Sequence, residues 1–273
     1  MNRTSGILIV TGLCVLGALA CGSDPTPQRP APPQPREGAA PQPSPQVFEA
    51  LFEAVERNPG DPDAHHRLAL ALHHAGRREE SIGHFEVLVQ LSTKGQHLVE
   101  LGVAYASVAR LEDAEATFRK ALAETPDQPI VLHHLANLGR SREDTAGAIE
   151  LYLQALEIDP DYLMARFHLA ETQRLAQQLR EAYRSYEQVL ELEPKDAAEF
   201  QTLNDALFQL GSLDLQMGAT ERAVEFFETL LDRAPEHPRA HRVLGEALMK
   251  LGRNEEAQAE FGTHRRIVTQ SQS

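Results

Sequence analysis

The chain carries 12 histidines and two cysteines, the side chains that most often hold metals or act as bases and nucleophiles near neutral pH. His65, His66, His73 and His74 cluster in one short stretch, and His133, His134 and His168 follow later. A helix presents two ligands to one ion when they stand three or four residues apart. His66 and His73 are seven apart, about 10 Å along a helix axis, and adjacent histidines face different ways. They read as solvated or groove-lining groups, and no metal site is expected. Catalysis needs convergent polar groups, and the sequence has no glycine-rich phosphate loop, nucleophile elbow or His-Glu zinc helix. Its carboxylates are scattered, so no catalytic residue, cofactor or small-molecule substrate is expected. Cys14 and Cys21 both precede residue 22. The remainder therefore has no disulfide, zinc-thiolate site or catalytic cysteine.

Charge narrows the partners. The formal net charge of -14 at pH 7 argues against nucleic acid, which needs clustered Lys and Arg. It argues equally against adhesion of the folded part to anionic lipid. The N-terminus is different. One cation, Arg3, precedes an uncharged run from Gly6 to Ala20, the plan of a secretory signal. Fifteen helical residues reach roughly 22 Å, short of the ~30 Å hydrocarbon core. Residues 1–20 thus read as a signal peptide rather than a permanent span. Its exit, Ala18-Leu19-Ala20-Cys21-Gly22, resembles a bacterial lipoprotein box, although Ala18 stands where an aliphatic residue is more usual. The same residues fit the small-x-small rule of ordinary signal peptidase. The resemblance implies lipidation at Cys21, and Gly22 after the cysteine favours the outer membrane, facing the periplasm. Residues 21–46 are this cysteine and a stretch, Ser23 to Gln46, that holds nine of the 17 prolines. It is read as an extended, disordered spacer of ~3 Å per residue.

From Val47 onward a fixed period dominates. Pro126, Pro160 and Pro194 are 34 residues apart, as are Phe118, Tyr152 and Tyr186, and Ala114, Ala148 and Ala182. Leu101-Gly102-x-x-Tyr105 and Leu244-Gly245-x-x-Leu248 begin units in which a small residue and, four places on, an aromatic follow. This pattern resembles the tetratricopeptide repeat family. The resemblance implies an all-α, right-handed superhelical solenoid of antiparallel helix hairpins over residues 47–273, with about six units and an N-terminal capping helix. The units fall at about 62–94, 95–128, 129–162, 163–196, 197–237 and 238–271. In each, small residues on the first helix (Ala69, Gly102, Ala136, Ala170, Gly211, Gly245) meet small residues on the second. The aromatics Phe85, Phe118, Tyr152, Tyr186, Phe227 and Phe261 are expected between successive hairpins. Val47 to Asn58 reads as the cap. Pro194 to Pro235 spans 41 residues, which implies a first helix lengthened by seven, either a tolerated extension or a projection toward a partner.

Repeat hairpins of this type leave their first helices on a concave face. On the family's pattern the lining is His66, His73, Val99, Val103, His133, Asn137, Arg140, Phe167, Glu171, Arg174, Phe208, Leu215, Arg242 and Met249. Val99, Val103, Phe167, Phe208, Leu215 and Met249 are expected to lie uncovered, and exposed apolar patches mark binding sites. The Lys, Asn and Arg clamp of chaperone-binding members is largely absent, with only Asn137, Arg140 and Arg174 of suitable chemistry. The expected function is a membrane-anchored scaffold or adaptor that binds a protein or peptide segment of the cell envelope. Its architecture is similar to that of the pilotin group, which assists envelope assembly. The rival reading is an enzyme accessory subunit or a periplasmic ligand-binding protein, which a bound small molecule in the purified protein would reveal.

Overall fold

The computed structural model describes residues 44–92 and 94–271. Cys21, the apolar leader and most of the proline-rich stretch lie outside them. Thirteen helices and no strand occur among the described residues. The first, α1 (Pro45–Arg57), takes in Pro45 and Gln46 from the end of the proline-rich stretch, because a proline at the first helical position has its φ already set.

Six antiparallel pairs follow: α2 (Pro62–His74) with α3 (Arg78–Leu91), α4 (Gly95–Ser107) with α5 (Leu111–Glu124), and α6 (Pro129–Ser141) with α7 (Thr145–Ile158). Then come α8 (Leu163–Leu175) with α9 (Leu179–Leu190), α10 (Ala197–Met217) with α11 (Thr220–Arg233), and α12 (Pro238–Lys250) with α13 (Asn254–Gln270). Each pair packs on the next, so the fold is an all-α solenoid. Prolines open α2, α6 and α12. The Asp61 carboxylate accepts from the Asp63 N–H at 3.0 Å and caps α2. Asp159 makes the same local bond to Asp161 at 3.1 Å, but α8 begins only at Leu163, so this acid closes a turn ahead of the helix.

The turn inside every pair has one geometry. A single residue adopts left-handed φ between +59° and +81°: Gly76, Ala109, Glu143, Gln177, Gly218 and Gly252. The following N–H then bonds back across the turn, as from Arg77 to the Leu72 carbonyl at 2.9 Å and from Gln178 to Gln173 at 2.8 Å. This is the 6→1 closure of a Schellman motif.

The hairpin core differs from the expected small-on-small contact. A Cβ added to Gly102 would stand 2.5 Å from Phe118 Cε1. At Gly211 it would stand 2.8 Å from Phe227, and at Gly245 2.7 Å from Phe261. At these three positions the aromatic of the second helix lies over the small residue of its own first helix, and aromatics of the set also reach the next hairpin as expected, as Phe118 does in stacking on His134. At Gly102, Gly211 and Gly245 the ring comes too close for a methyl group to be added without movement. Phe118, Tyr152, Tyr186 and Phe227 are buried almost completely, while Phe261, in the last pair, is partly open.

Two elements depart from the repeat. The extra seven residues lengthen α10 to 21. Asp196 caps it, accepting from the Glu199 N–H at 2.8 Å, while the Glu199 carboxylate accepts from the Lys195 N–H at 2.7 Å. α1 has no partner helix and packs Leu51 against Leu68 and Leu72. The guanidinium of Arg77 lies 5.3 Å from the Phe48 ring and 5.6 Å from Phe52, fastening α1 to the first turn.

Candidate functional site

The first helices line two clefts. The larger, about 640 Å³, lies across α2, α4 and α6, with Leu70, Val99, Val103 and Ile130 as apolar walls and His73 and His134 among its polar groups. Ile130 follows the Pro129 that opens α6 and is 45% exposed. It was not among the residues expected from sequence, nor was His134, whose ring stacks on Phe118 at 5.1 Å. Burial, with help from His74 and Arg78, lowers the His73 pKa, so the side chain is neutral at pH 7. The walls are apolar, and few groups in them carry charge.

The second cleft, about 310 Å³, lies across α8, α10 and the start of α12 and has a different character. Arg140, Glu171, Asp205 and Arg239 line it beside Phe167 and Phe208. Arg174 Nη2 donates to Glu171 at 2.9 Å, and the Tyr186 hydroxyl donates to the same carboxylate. Burial raises the Asp205 pKa and lowers that of His237, so both are biased toward neutrality. The site holds matched acids and bases rather than one sign of charge.

Between the clefts stands a polar network that bridges α6 and α8. His133 and His168 stack at 5.0 Å with His133 Nε2 2.8 Å from His168 Nδ1. Asn137 Nδ2 lies 3.2 Å from the same His133 nitrogen, and the Tyr162 hydroxyl is 3.2 Å from the other. The Tyr152 hydroxyl donates to Asn137 Oδ1 at 2.6 Å. Burial first, and then the neighbouring His168 for His133 and Arg140 for His168, push His133 down to about 3 and His168 to about 4. His133 and Asn137 thus act inside the solenoid, in place of the open lining expected of them.

Several apolar positions expected to be uncovered are not. Val99 and Phe208 are each only 8% exposed. Phe208 packs edge-on against Phe227 at 5.7 Å, and Arg239 covers it at 4.5 Å from the ring centre. The start of α12 reaches back over it, which spacing within one hairpin does not reveal. Phe167 packs on Tyr186 at 5.8 Å and, like Val103 and Leu215, is half-buried against the core. Met249 is 56% exposed, the most open of the set. Arg242 pairs with Glu246 beside a third hollow, near Phe261 and His264. His66 leans toward Glu100, and Glu100 and His97 stand one turn apart on α4. Sequence reading weighed the histidines within each helix and so passed over this pair.

Comparison with known proteins agrees with this architecture. Two family models, each described as tetratricopeptide repeat, match residues 140–207 and 214–271 and residues 49–95 and 99–162. Among solved structures, MamA superposes with a TM-score of 0.56 at 19% identity, covering 63% of this chain and 96% of that one. YrrB, described as a TPR protein with an unusual peptide-binding site, gives 0.51 at 21% identity over 71% of this chain and 96% of its own. The Pseudomonas aeruginosa pilF protein gives 0.55 at 20% identity over 64% and 76%. Identities this low carry the fold alone. Between them the two models account for most of the chain from residue 49 on, and the chain belongs to the tetratricopeptide repeat family.

Proposed function

We propose that this chain is a non-enzymatic scaffold that holds a segment of an envelope protein in the cleft across α2, α4 and α6. One observation carries the reading. Leu70, Val103 and Ile130, from three successive first helices, converge on an apolar cleft with little fixed charge. Such a surface favours an apolar face of a peptide or helix over a polar metabolite, because few of its groups would orient one. The peptide-binding site attributed to YrrB is consistent with a solenoid of this kind holding a chain segment. The lipoprotein-like residues Ala18 to Gly22 support placement on the exported side of a membrane, tethered at Cys21, in the outer membrane. Assistance in envelope assembly, of the pilotin kind, is the specific role favoured by architecture.

In-cell photocrosslinking from Ile130 and Val103 tests the cleft. One protein partner captured at both positions, and lost with Val103→Glu, is the expected result. The same species captured equally from the solvent face at Lys120 would overturn the reading. Fatty-acid labelling of wild type and Cys21→Ser tests the tether separately. Label in the wild type alone is expected, and label retained by the variant would remove the anchor.

A further inference from the structure

The junction of the first two hairpins contains a set of donors that the protein leaves unused. His66 on α2 and His97 and Glu100 on α4 each place one nitrogen or carboxylate oxygen within 4.8 Å of the others. The His66 and His97 rings are 5.2 Å apart and tilted at 46°. His66 Nε2, His97 Nδ1 and Glu100 Oε2 are buried, and none makes a hydrogen bond. His66 Nε2 and Glu100 Oε2 stand 2.9 Å apart, yet they do not align into a bond. Buried polar atoms are nearly always partnered, and one left without a partner is destabilising. Three such atoms of ligand type in one place, two of them facing only each other, call for a common partner.

We propose that His66, His97 and Glu100 form a site for a divalent transition ion of the zinc type. Two imidazoles and a carboxylate suit Zn²⁺, with an open fourth position for water or an incoming ligand. Metal–ligand bonds of about 2.0–2.1 Å set donors roughly 3.3 Å apart around a tetrahedral ion, which lies between the 2.9 Å already present and the 4.8 Å limit. His97 and Glu100 are three apart on α4, so one helix face supplies both. Gln96 Nε2 donates to Glu100 Oε1 at 3.1 Å. The carboxylate is thereby held by its other oxygen, as outer-shell partners hold metal ligands. Glu100 also lines the 640 Å³ cleft, so the site adjoins it. The ion would pin the first helices of adjacent hairpins together.

The test uses the full-length chain without an affinity tag, with Cys14→Ser and Cys21→Ser removing its thiols. Zn²⁺ is titrated into metal-free protein by calorimetry, with stoichiometry from native mass spectrometry, and Co²⁺ provides a tetrahedral absorption signature. One ion per chain and a raised Tm are expected. His66→Gln, His97→Gln and Glu100→Gln should each weaken binding at least ~100-fold, while His237→Gln leaves it unchanged. Glu100→Gln keeps the shape of its residue, so it decides the matter if a histidine variant misfolds. Absence of stoichiometric binding, or Glu100→Gln protein binding as the wild type does, would overturn the site.

Discussion

A single hydrogen on a first-helix backbone decides how closely a hairpin closes. At Gly102 a methyl group would fall 2.5 Å from the Phe118 ring, with two further ring atoms within 2.9 Å. The ring is 1% exposed and enclosed by the core. Gly102→Ala is therefore expected to lower stability by about 2–3 kcal/mol, the upper part of the range for overpacking. Gly76→Ala provides the contrast. No atom lies within 4 Å of a Cβ there, and only its φ of +78° opposes the change, so the loss should be about 1 kcal/mol. Chemical denaturation of the two variants separates the causes. Equal losses would mean that the ring moves aside.

At the scale of the element, the six hairpin turns share one backbone although only three have glycine at the left-handed position. Ala109, Glu143 and Gln177 hold φ near +60°, a conformation that an L-residue enters at ~1–2 kcal/mol. The flanking helices, once packed, impose it. Replacing any of the three with glycine should relieve that strain, less the extra chain entropy of an unfolded glycine. The expected gain is up to about 1 kcal/mol per site, read as a higher denaturation midpoint with unchanged slope. A midpoint that falls at all three sites would show the turns to be unstrained.

Elements of this kind were legible in sequence because each answers to a local rule. Pro129 at a helix start and Phe118 four residues after Ala114 need no knowledge of the neighbouring hairpin. Contacts between hairpins were less legible. Phe208 looked open because Phe227 of its own pair meets only one edge of it, and Arg239, 31 residues on, completes the cover. His66 and His97 are likewise 31 apart and meet through stacking of one pair on the next. The spacing of His97 and Glu100 on one helix was the available signal, and it lacked a third member until the fold provided one.

For the whole molecule, the junction of the third and fourth hairpins is the place most sensitive to acid. His133 and His168 are held neutral down to about pH 3 and about pH 4. An unfolded histidine protonates near pH 6.5, so below that value the unfolded chain binds protons that the folded chain refuses. Their contribution is complete above pH 6.5 and is lost as pH falls, by up to about 1.4 kcal/mol per pH unit for each histidine. His134, Arg140 and Glu171 also bear on the pair, and the cations among them reinforce the direction. Thermal melting from pH 7 to pH 4 should show a falling Tm, with a shallower fall in the His133→Asn, His168→Asn double variant. Hydrogen exchange should accelerate first in α6 and α8. A fall equally steep in the variant would place acid sensitivity elsewhere.

The unpaired helix α1 gives the solenoid a mechanical entrance. Any tension carried by the chain before residue 44 reaches the described fold at Pro45 and meets its smallest apolar cluster, Leu51 with Leu68 and Leu72. Opening a hairpin means tearing a ring from beneath a helix, whereas releasing α1 frees Leu51 from Leu68 and Leu72, unpacks Phe48, Phe52 and Val55, and breaks two ring–cation contacts and one ring pair. The helix therefore yields first under load. Its 13 residues then pay out roughly 40 Å of extended chain, a slack that spares the hairpins behind it. Leu68 and Leu72 become accessible only while the strain lasts, so the same detachment converts a pull on the preceding chain into a newly wetted face on α2.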